Sequence, residues 1–270
     1  MDGAIGVLTD ALRATGEEEL SRAPLIYDGK AKRVRQCPGE HDLVLMEFKN
    51  SFTAFDAVKR DEKAGKGRLN CAISSFLMNE LRQTGDLIPQ TLIAQVSPVH
   101  QLVQRVEIIP IEVIVRNEAH GSLCKRYGIT AGQKLSEPLT EIGLKDDALH
   151  DPFFTSDEIP VDIMELLTWS EMKQVRALAD ITNDSLYGIF AEHSIRLLDF
   201  KLEFGRLADG SIVLADEITG DTCRLVDAET LEKLDKDNFR FDLGDVMKGY
   251  AGLAQRLGLD PEAILQGRWR

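Results

Sequence analysis

Long apolar runs are missing from this 270-residue chain. Crossing a bilayer as a helix takes about 20 consecutive apolar residues, and the longest candidate, Ile108 to Val115, is broken by Pro110 and Glu112. A membrane span is therefore not expected. Nor is a secretory leader, because the N-terminus carries Asp2 and Asp10 and no basic n-region. Cysteine is scarce, and Cys37, Cys71, Cys124 and Cys223 stand too far apart for any C-x-x-C pair. Zinc ligation and a disulfide framework are thus disfavoured, and a reduced, cytoplasmic setting fits better. Basic residues are in deficit, 32 Lys and Arg against 45 Asp and Glu, for a formal net charge of −13. Such a surface excludes bulk nucleic-acid binding but leaves room for a small anion held by local basic residues. The chain also lacks internal repeats, low-complexity tracts, a G-x-x-x-x-G-K-[ST] loop and the H-R-D-L-x-x-x-N and D-F-G set of protein kinases.

What remains has the 43% hydrophobic and 29% charged composition of a globular protein, so disorder is not expected. The first 20 or so residues read as a short helix or a loosely held arm. Strand-like pieces follow at Leu25–Tyr27, Lys32–Gln36 and Leu43–Phe48, the last two joined by a turn at Pro38-Gly39-Glu40-His41. Gly65 to Leu81 carries Leu69, Ile73, Phe76, Leu77 and Leu81 on one helical face. β-branched residues predict strands between Thr91 and Arg116, and Gly128 to Pro160 reads as loop-rich. Thr168-Trp169-Ser170-Glu171 is a capping box that opens a helix running to about His193. Two strands, Arg196–Leu207 and Ile212–Glu217, turn at Asp209-Gly210, and the tail is helical from Asp242 to Leu257. Asp260-Pro261 then caps one more short helix. The expected organisation is an N-terminal arm over 1–23, a strand-rich lobe over 24–112 and a mixed lobe over 113–270.

The chemistry concentrates in Leu198-Asp199-Phe200-Lys201-Leu202-Glu203-Phe204-Gly205. Strand alternation puts Leu198, Phe200, Leu202 and Phe204 on one face and Asp199, Lys201 and Glu203 on the other. Solvation of an outer face is one explanation. A two-residue turn at Asp209-Gly210 predicts another, since it sets Glu203 opposite Asp216. Opposed carboxylates repel and call for a cation, with Mg²⁺ accompanying a nucleotide as the hard-ligand choice. Elsewhere, Asp28-Gly29-Lys30-Ala31-Lys32 offers two lysines on one side of a strand, either toward a phosphate or as a solvated hairpin. Arg116 runs through Gly121-Ser122 into a short helix over Leu123–Tyr127, where Ser122 is an anion contact or an ordinary cap. Lys145 and His150-Asp151-Pro152 lie in the loop-rich middle, and Arg224 in Asp221-Thr222-Cys223-Arg224 is placed to reach the same pocket as Arg116.

Together these pieces resemble the SAICAR synthetase family. The most specific are Ile109-Pro110-Ile111-Glu112-Val113-Ile114-Val115-Arg116 leading to Gly121-Ser122, and Leu198 to Gly205; the likeness spans Leu25 to Leu257. It implies an α+β, two-lobed fold related to ATP-grasp enzymes and protein kinases, with an antiparallel-sheet ATP-binding lobe and a larger mixed α/β lobe. It implies an ATP- and Mg²⁺-dependent ligase of purine biosynthesis. The substrates would be CAIR, a carboxylated aminoimidazole ribonucleotide, and L-aspartate, joined through an acyl phosphate. By the same resemblance Lys30 and Lys32 hold ATP phosphates, Glu203 and Asp216 bind Mg²⁺, and Lys201 neutralises phosphate charge with Asp199 close by. Arg116, Ser122 and Arg224 grip the ribonucleotide phosphate, Lys145 and Asp151 belong to a closing loop, and Asp56 is a further substrate contact. Partners other than these small molecules, such as nucleic acid or membrane, are not implied; a homodimer and a monomer both remain open.

Overall fold

The computed structural model describes residues 2–54, 59–84, 88–237 and 246–269. The chain divides into two compact units, residues 1–78, 91–105 and 237–270 forming the first and 79–90 and 106–236 the second. Among the described residues no helix is long and apolar enough to cross a membrane.

The first unit opens with helices α1 (Asp2–Ala14) and α2 (Glu17–Leu20). Strands β1 (Leu25–Asp28), β2 (Lys32–Cys37) and β3 (Glu40–Phe48) follow, then the hairpin of β4 (Ser51–Ala54) and β5 (Lys59–Glu62). Helix α3 (Lys66–Gln83), of which residues 66–78 belong to this unit, β6 (Leu92–Gln95) and β7 (His100–Gln104) come next. The antiparallel sheet has the order β1-β2-β3-β7-β6. Its pleat assigns each face a different cover. Leu45 and its cross-strand partner Leu102 join Leu12, Leu20, Cys37 and Val96 in one buried cluster. On the next pair, Met46 with Gln101, the Gln101 amide donates to the Cys71 carbonyl and to Ser75 Oγ on α3. The N-terminal arm is therefore a docked pair of helices rather than a loose one. Arg13 Nε donates to the Gln95 carbonyl at 3.2 Å, and Ser21 Oγ lies 3.3 Å from His100 Nε2.

The second unit contains β8 (Glu107–Ile108), β9 (Ile111–Glu118), α4 (Ser122–Tyr127) and β10 (Lys134–Leu144). After short helical turns at Asp147–Leu149 and Ile159–Ile163 come α5 (Trp169–Glu192), β11 (Ile195–Arg206), β12 (Ile212–Ala215) and β13 (Cys223–Asp227). The sheet runs β10-β9-β11-β12, and β8 and β13 also pair with the long β11. Helix α5 starts with the expected capping box: Thr168 Oγ1 accepts from the Glu171 amide and the Glu171 carboxylate accepts from the Thr168 amide. Arg206 Nε donates to Glu171 at 2.5 Å, and this bond above all lowers the Glu171 pKa to about 2. The apolar stripe Met172, Val175, Ala179, Leu186 and Phe190 is buried, and α5 meets the sheet through it and through Asn183, which accepts from Asn117 on β9 at 2.9 Å. The C-terminal helices α6 (Val246–Arg256) and α7 (Pro261–Leu265) belong to the first unit, where Tyr250 meets Phe52 edge-to-face at 5.6 Å. Asp260 caps α7 by accepting from the Ala263 amide, as expected, whereas the expected helix start at Asp242 lies outside the described residues.

Two expectations need correction. Gly128 to Pro160 is not mainly loop, because β10 occupies eleven residues of it. Pro138 and the polar residues around it disguise an edge strand, and the ladder to β9 is irregular between Lys134 and Leu139, where a proline is tolerated. The β11–β12 hairpin also has a three-residue loop, Ala208-Asp209-Gly210, closed by the Leu207 amide on the Ser211 carbonyl. Gly210 takes φ 85°, the left-handed position such loops require. The register consequently moves by one, and Glu203 pairs with Ala215, not Asp216.

Candidate active site

Alternation sorts β9 and β11 into an apolar face and a charged one. Register pairs Asp199 with Arg116 and Lys201 with Ile114, so Asp199, Lys201 and Glu203 share a face with Arg116 and Glu112. Glu141 on β10, paired with Ile114, joins the same face. Asp199 is 6% exposed and Glu203 4%. A solvated outer face therefore does not explain these carboxylates; they are buried and must be compensated by neighbouring charge.

At one end the compensation comes from arginine. Asp199 lies between Arg116 on β9 and Arg224 on β13, its register partners on either side. Asp199 Oδ2 accepts from Arg116 Nη1 at 3.1 Å and from Arg224 Nη1 at 2.5 Å. Arg116 is itself buried and uses each of its nitrogens: Nε donates to Glu141 at 2.6 Å, Nη1 also to the His120 carbonyl at 3.3 Å, and Nη2 to Ser122 Oγ at 2.9 Å. Gly121 turns the chain into α4 with φ 56°, and a Cβ there would stand 3.1 Å from Arg224 Nη2. Glycine thus lets the backbone at residue 121 lie against the Arg224 guanidinium while Ser122 bonds Arg116. Ser122 is the first residue of α4 and Gly121 its N-cap, so the reading of Ser122 as a cap is replaced by a side-chain contact to Arg116. The three residues expected around an anion, Arg116, Ser122 and Arg224, come together.

Two to four residues further along β11, at Lys201 and Glu203, the pattern inverts. Lys201 Nζ donates to Glu112 at 2.8 Å and to Glu203 at 3.1 Å, and Lys145 bonds the other oxygen of Glu203. Burial works to lower the Lys201 pKa, but the Glu203, Glu112 and Asp216 carboxylates more than offset it and raise it overall. Its ammonium stays charged at any working pH. Asp216 follows β12 with φ 64°, which redirects the backbone where the expected strand to Glu217 would have continued. Asp216 thus still acts on Lys201 despite the shifted register, although it does not stand directly opposite Glu203.

The other expected residues belong to other segments of the chain. Lys30 sits in the β1–β2 connection of the first unit and Lys32 opens β2, near Lys49, which donates to Asp28 and to the Gly29 carbonyl, both at 2.9 Å. The hydrogen bond from Lys49 holds the Asp28 carboxyl below its ordinary range. Asp151, at φ 48°, accepts from the Asp146 amide at 2.9 Å and so acts as a turn former in the segment after Lys145. Asp56 lies outside the described residues. Glu112, Glu141 and Lys49 were not singled out from the sequence. A lone carboxylate two and four residues before Ile114 and Arg116 in an apolar strand was the available signal for Glu112; the other two depend on distant pairing.

The SAICAR synthetase family model matches residues 25–257. A phosphoribosylaminoimidazole-succinocarboxamide synthase from Lysinibacillus sphaericus is 46% identical over 239 residues, covering 88% of this chain and 99% of that relative. The crystal structure of the synthase of that name from Ehrlichia chaffeensis superposes with a TM-score of 0.83 at 39% identity, over 87% of this chain and 98% of that one. A SAICAR synthetase in complex with ADP gives 0.81 at 39% identity, over 87% and 97%. The two-unit α+β fold, the matched length and the charged face of β9 and β11 agree: the chain belongs to the SAICAR synthetase family of enzymes.

Proposed function

We propose that this enzyme is an ATP-dependent carbon–nitrogen ligase of de novo purine biosynthesis that joins CAIR and L-aspartate, giving SAICAR, ADP and phosphate through an acyl phosphate. The observation that carries the reading is the single charged face on which Arg116, Ser122 and Arg224 stand at one end and Lys201, Glu112 and Glu203 at the other. Four strand residues, about 13 Å, separate Asp199 from Glu203. Such a face suits a substrate with a phosphate at one end and a carboxylate to be activated toward the other. The name borne by its relatives and the ADP held by one structural neighbour support the same reading.

In this scheme Arg116, Ser122 and Arg224 hold the ribonucleotide phosphate, and Asp199 aligns the two arginines. A CAIR carboxylate oxygen attacks the γ-phosphorus of ATP, and the bond to the ADP oxygen breaks. The aspartate amine then attacks the acyl carbon, loses a proton, and the carbon–oxygen bond to phosphate breaks. Lys201 offsets the charge that develops on the transferred group. Lys30 and Lys32 bind ATP phosphates, Lys145 and Asp151 belong to the segment that closes over substrate, and Asp56 is a further substrate contact.

Mg²⁺ is ordinarily held by one or two carboxylates together with substrate phosphates, not by an all-protein cage. The second unit fits that habit. The Glu203, Glu112 and Asp216 carboxylates all act on one lysine, and among the described residues no group of three or more His, Cys, Asp or Glu side chains is arranged to hold a metal alone. Glu203 and Asp216 are its proposed ligands, and when bound it supplies positive charge to the phosphoryl oxygens. The enzyme is read as cytoplasmic, monomeric or homodimeric, and independent of membrane and nucleic acid.

The test is ADP release with ATP, Mg²⁺ and CAIR, with and without L-aspartate. Strict dependence on both substrates with matching SAICAR formation supports the ligase; release that ignores aspartate overturns it in favour of a kinase or an uncoupled ATPase.

A further inference from the structure

Arg126, in the last turn of α4, lies outside the set of residues assigned to substrate. Its guanidinium bonds one oxygen of Glu141, while the other oxygen of Glu141 accepts from Arg116 Nε at 2.6 Å. Arg116 in turn holds Ser122 Oγ at the opposite end of the same short helix. Arg116, Ser122, α4, Arg126 and Glu141 therefore close into a ring that ties β9, α4 and β10 together. The Arg126 carbon also stands 4.2 Å from the centroid of Phe153, close enough for a cation–π contact. Phe153 follows Asp151 and Pro152 and bridges to Gly143 on β10. A Cβ on Gly143 would be 3.3 Å from the Pro152 carbonyl, so this segment lies directly on the strand.

Each link has a physical role. Arg116 is 2% exposed and its side chain is fixed only by its partners, so the direction of its guanidinium depends on Glu141 as much as on Asp199. Glu141 without Arg126 would be a buried-side carboxylate shared by one cation instead of two. The same Arg126 plane touches the residue that follows Asp151-Pro152. We propose that Arg126 is a positioning residue: through Glu141 it sets the arginine that grips the substrate phosphate, and through Phe153 it couples that end of the site to the Asp151 segment. This rests on the assignment of Arg116 to the ribonucleotide phosphate.

The experiment compares steady-state kinetics of Arg126→Met, Glu141→Gln and Arg116→Met with CAIR and with the same compound lacking its 5′-phosphate. The Arg126 side chain is 29% exposed, and methionine keeps its unbranched apolar stem, so the fold is expected to tolerate the replacement. The expectation for Arg126→Met is a rise of about tenfold in KM for CAIR, the loss of one charge-assisted hydrogen bond, with KM for ATP unchanged. With the dephosphorylated compound, the penalty should disappear. Arg126→Lys, which keeps the charge on Glu141 but not the flat stack on Phe153, should restore part of the CAIR affinity. If Arg116→Met discriminates between the two compounds and Arg126→Met does not, the positioning role is wrong while the phosphate assignment stands. If Arg116→Met itself treats both compounds alike, the assignment beneath the proposal fails.

Discussion

Lys201 Nζ lies 2.8 Å from Glu112 Oε1, across the ladder between β11 and β9. The pair joins two strands nearly ninety residues apart and makes Glu112 part of the site although its sequence neighbours are apolar. Removing the charge with Glu112→Gln leaves Lys201 with one fewer carboxylate. The expected outcome is a fall in kcat of about tenfold or more, with far-UV circular dichroism unchanged. A variant with wild-type kcat would show that Glu112 serves only the fold.

Glu203 has an ammonium on each oxygen and is the proposed metal ligand. Glu203→Gln is expected to lower kcat by at least about a hundredfold while thermal unfolding remains cooperative. Substantial activity at ordinary Mg²⁺ concentration contradicts that assignment.

Asp199 accepts from two arginines at once. Asp199→Asn weakens both bonds and frees Arg116 and Arg224 to repel each other. KM for CAIR should rise about tenfold or more while KM for ATP changes little. Equal effects on both substrates would remove Asp199 from the ribonucleotide end.

The N-terminal helices precede the family match, which begins at residue 25, yet Leu12 and Leu20 are 3% and 2% exposed within the first unit's core. Leu20→Ala is expected to lower unfolding free energy by roughly 2–5 kcal/mol, read from the urea midpoint. No shift would mean that the arm docks without stabilising the sheet.

His100 is fully buried, with Ser97 Oγ 2.7 Å from Nδ1. Burial lowers its pKa to about 4; Glu47 opposes the shift and Arg35 adds to it. The unfolded chain takes up a proton from about pH 6.5 downward, whereas the folded chain resists until about pH 4. Stability is therefore expected to fall between those values, by on the order of 3 kcal/mol. His100→Gln should flatten that part of a Tm-against-pH curve. An unchanged slope would place the acid sensitivity in other groups.

Much of this was legible because local rules governed it. Thr168 and Glu171 announce the start of α5 three residues apart, and the alternation from Leu198 to Gly205 separates core from chemistry on a single strand. Legibility ended where one residue decided the outcome. Gly210 in the left-handed region adds a loop residue to the β11–β12 turn and moves Glu203 off Asp216. Pro138 hid β10, and with it Glu141, because a strand with a proline and few apolar residues reads as loop. Glu112 and Arg126 acquire their roles only from partners on other strands, which no local pattern names.

The central claim is that the CAIR carboxylate becomes an acyl phosphate. The most direct measurement is the fate of isotopically heavy oxygen placed in that carboxylate, followed by mass spectrometry of the inorganic phosphate released during turnover with ATP and L-aspartate. The account predicts one labelled oxygen in each phosphate formed. Unlabelled phosphate, with the label left in SAICAR or lost to water, would contradict it.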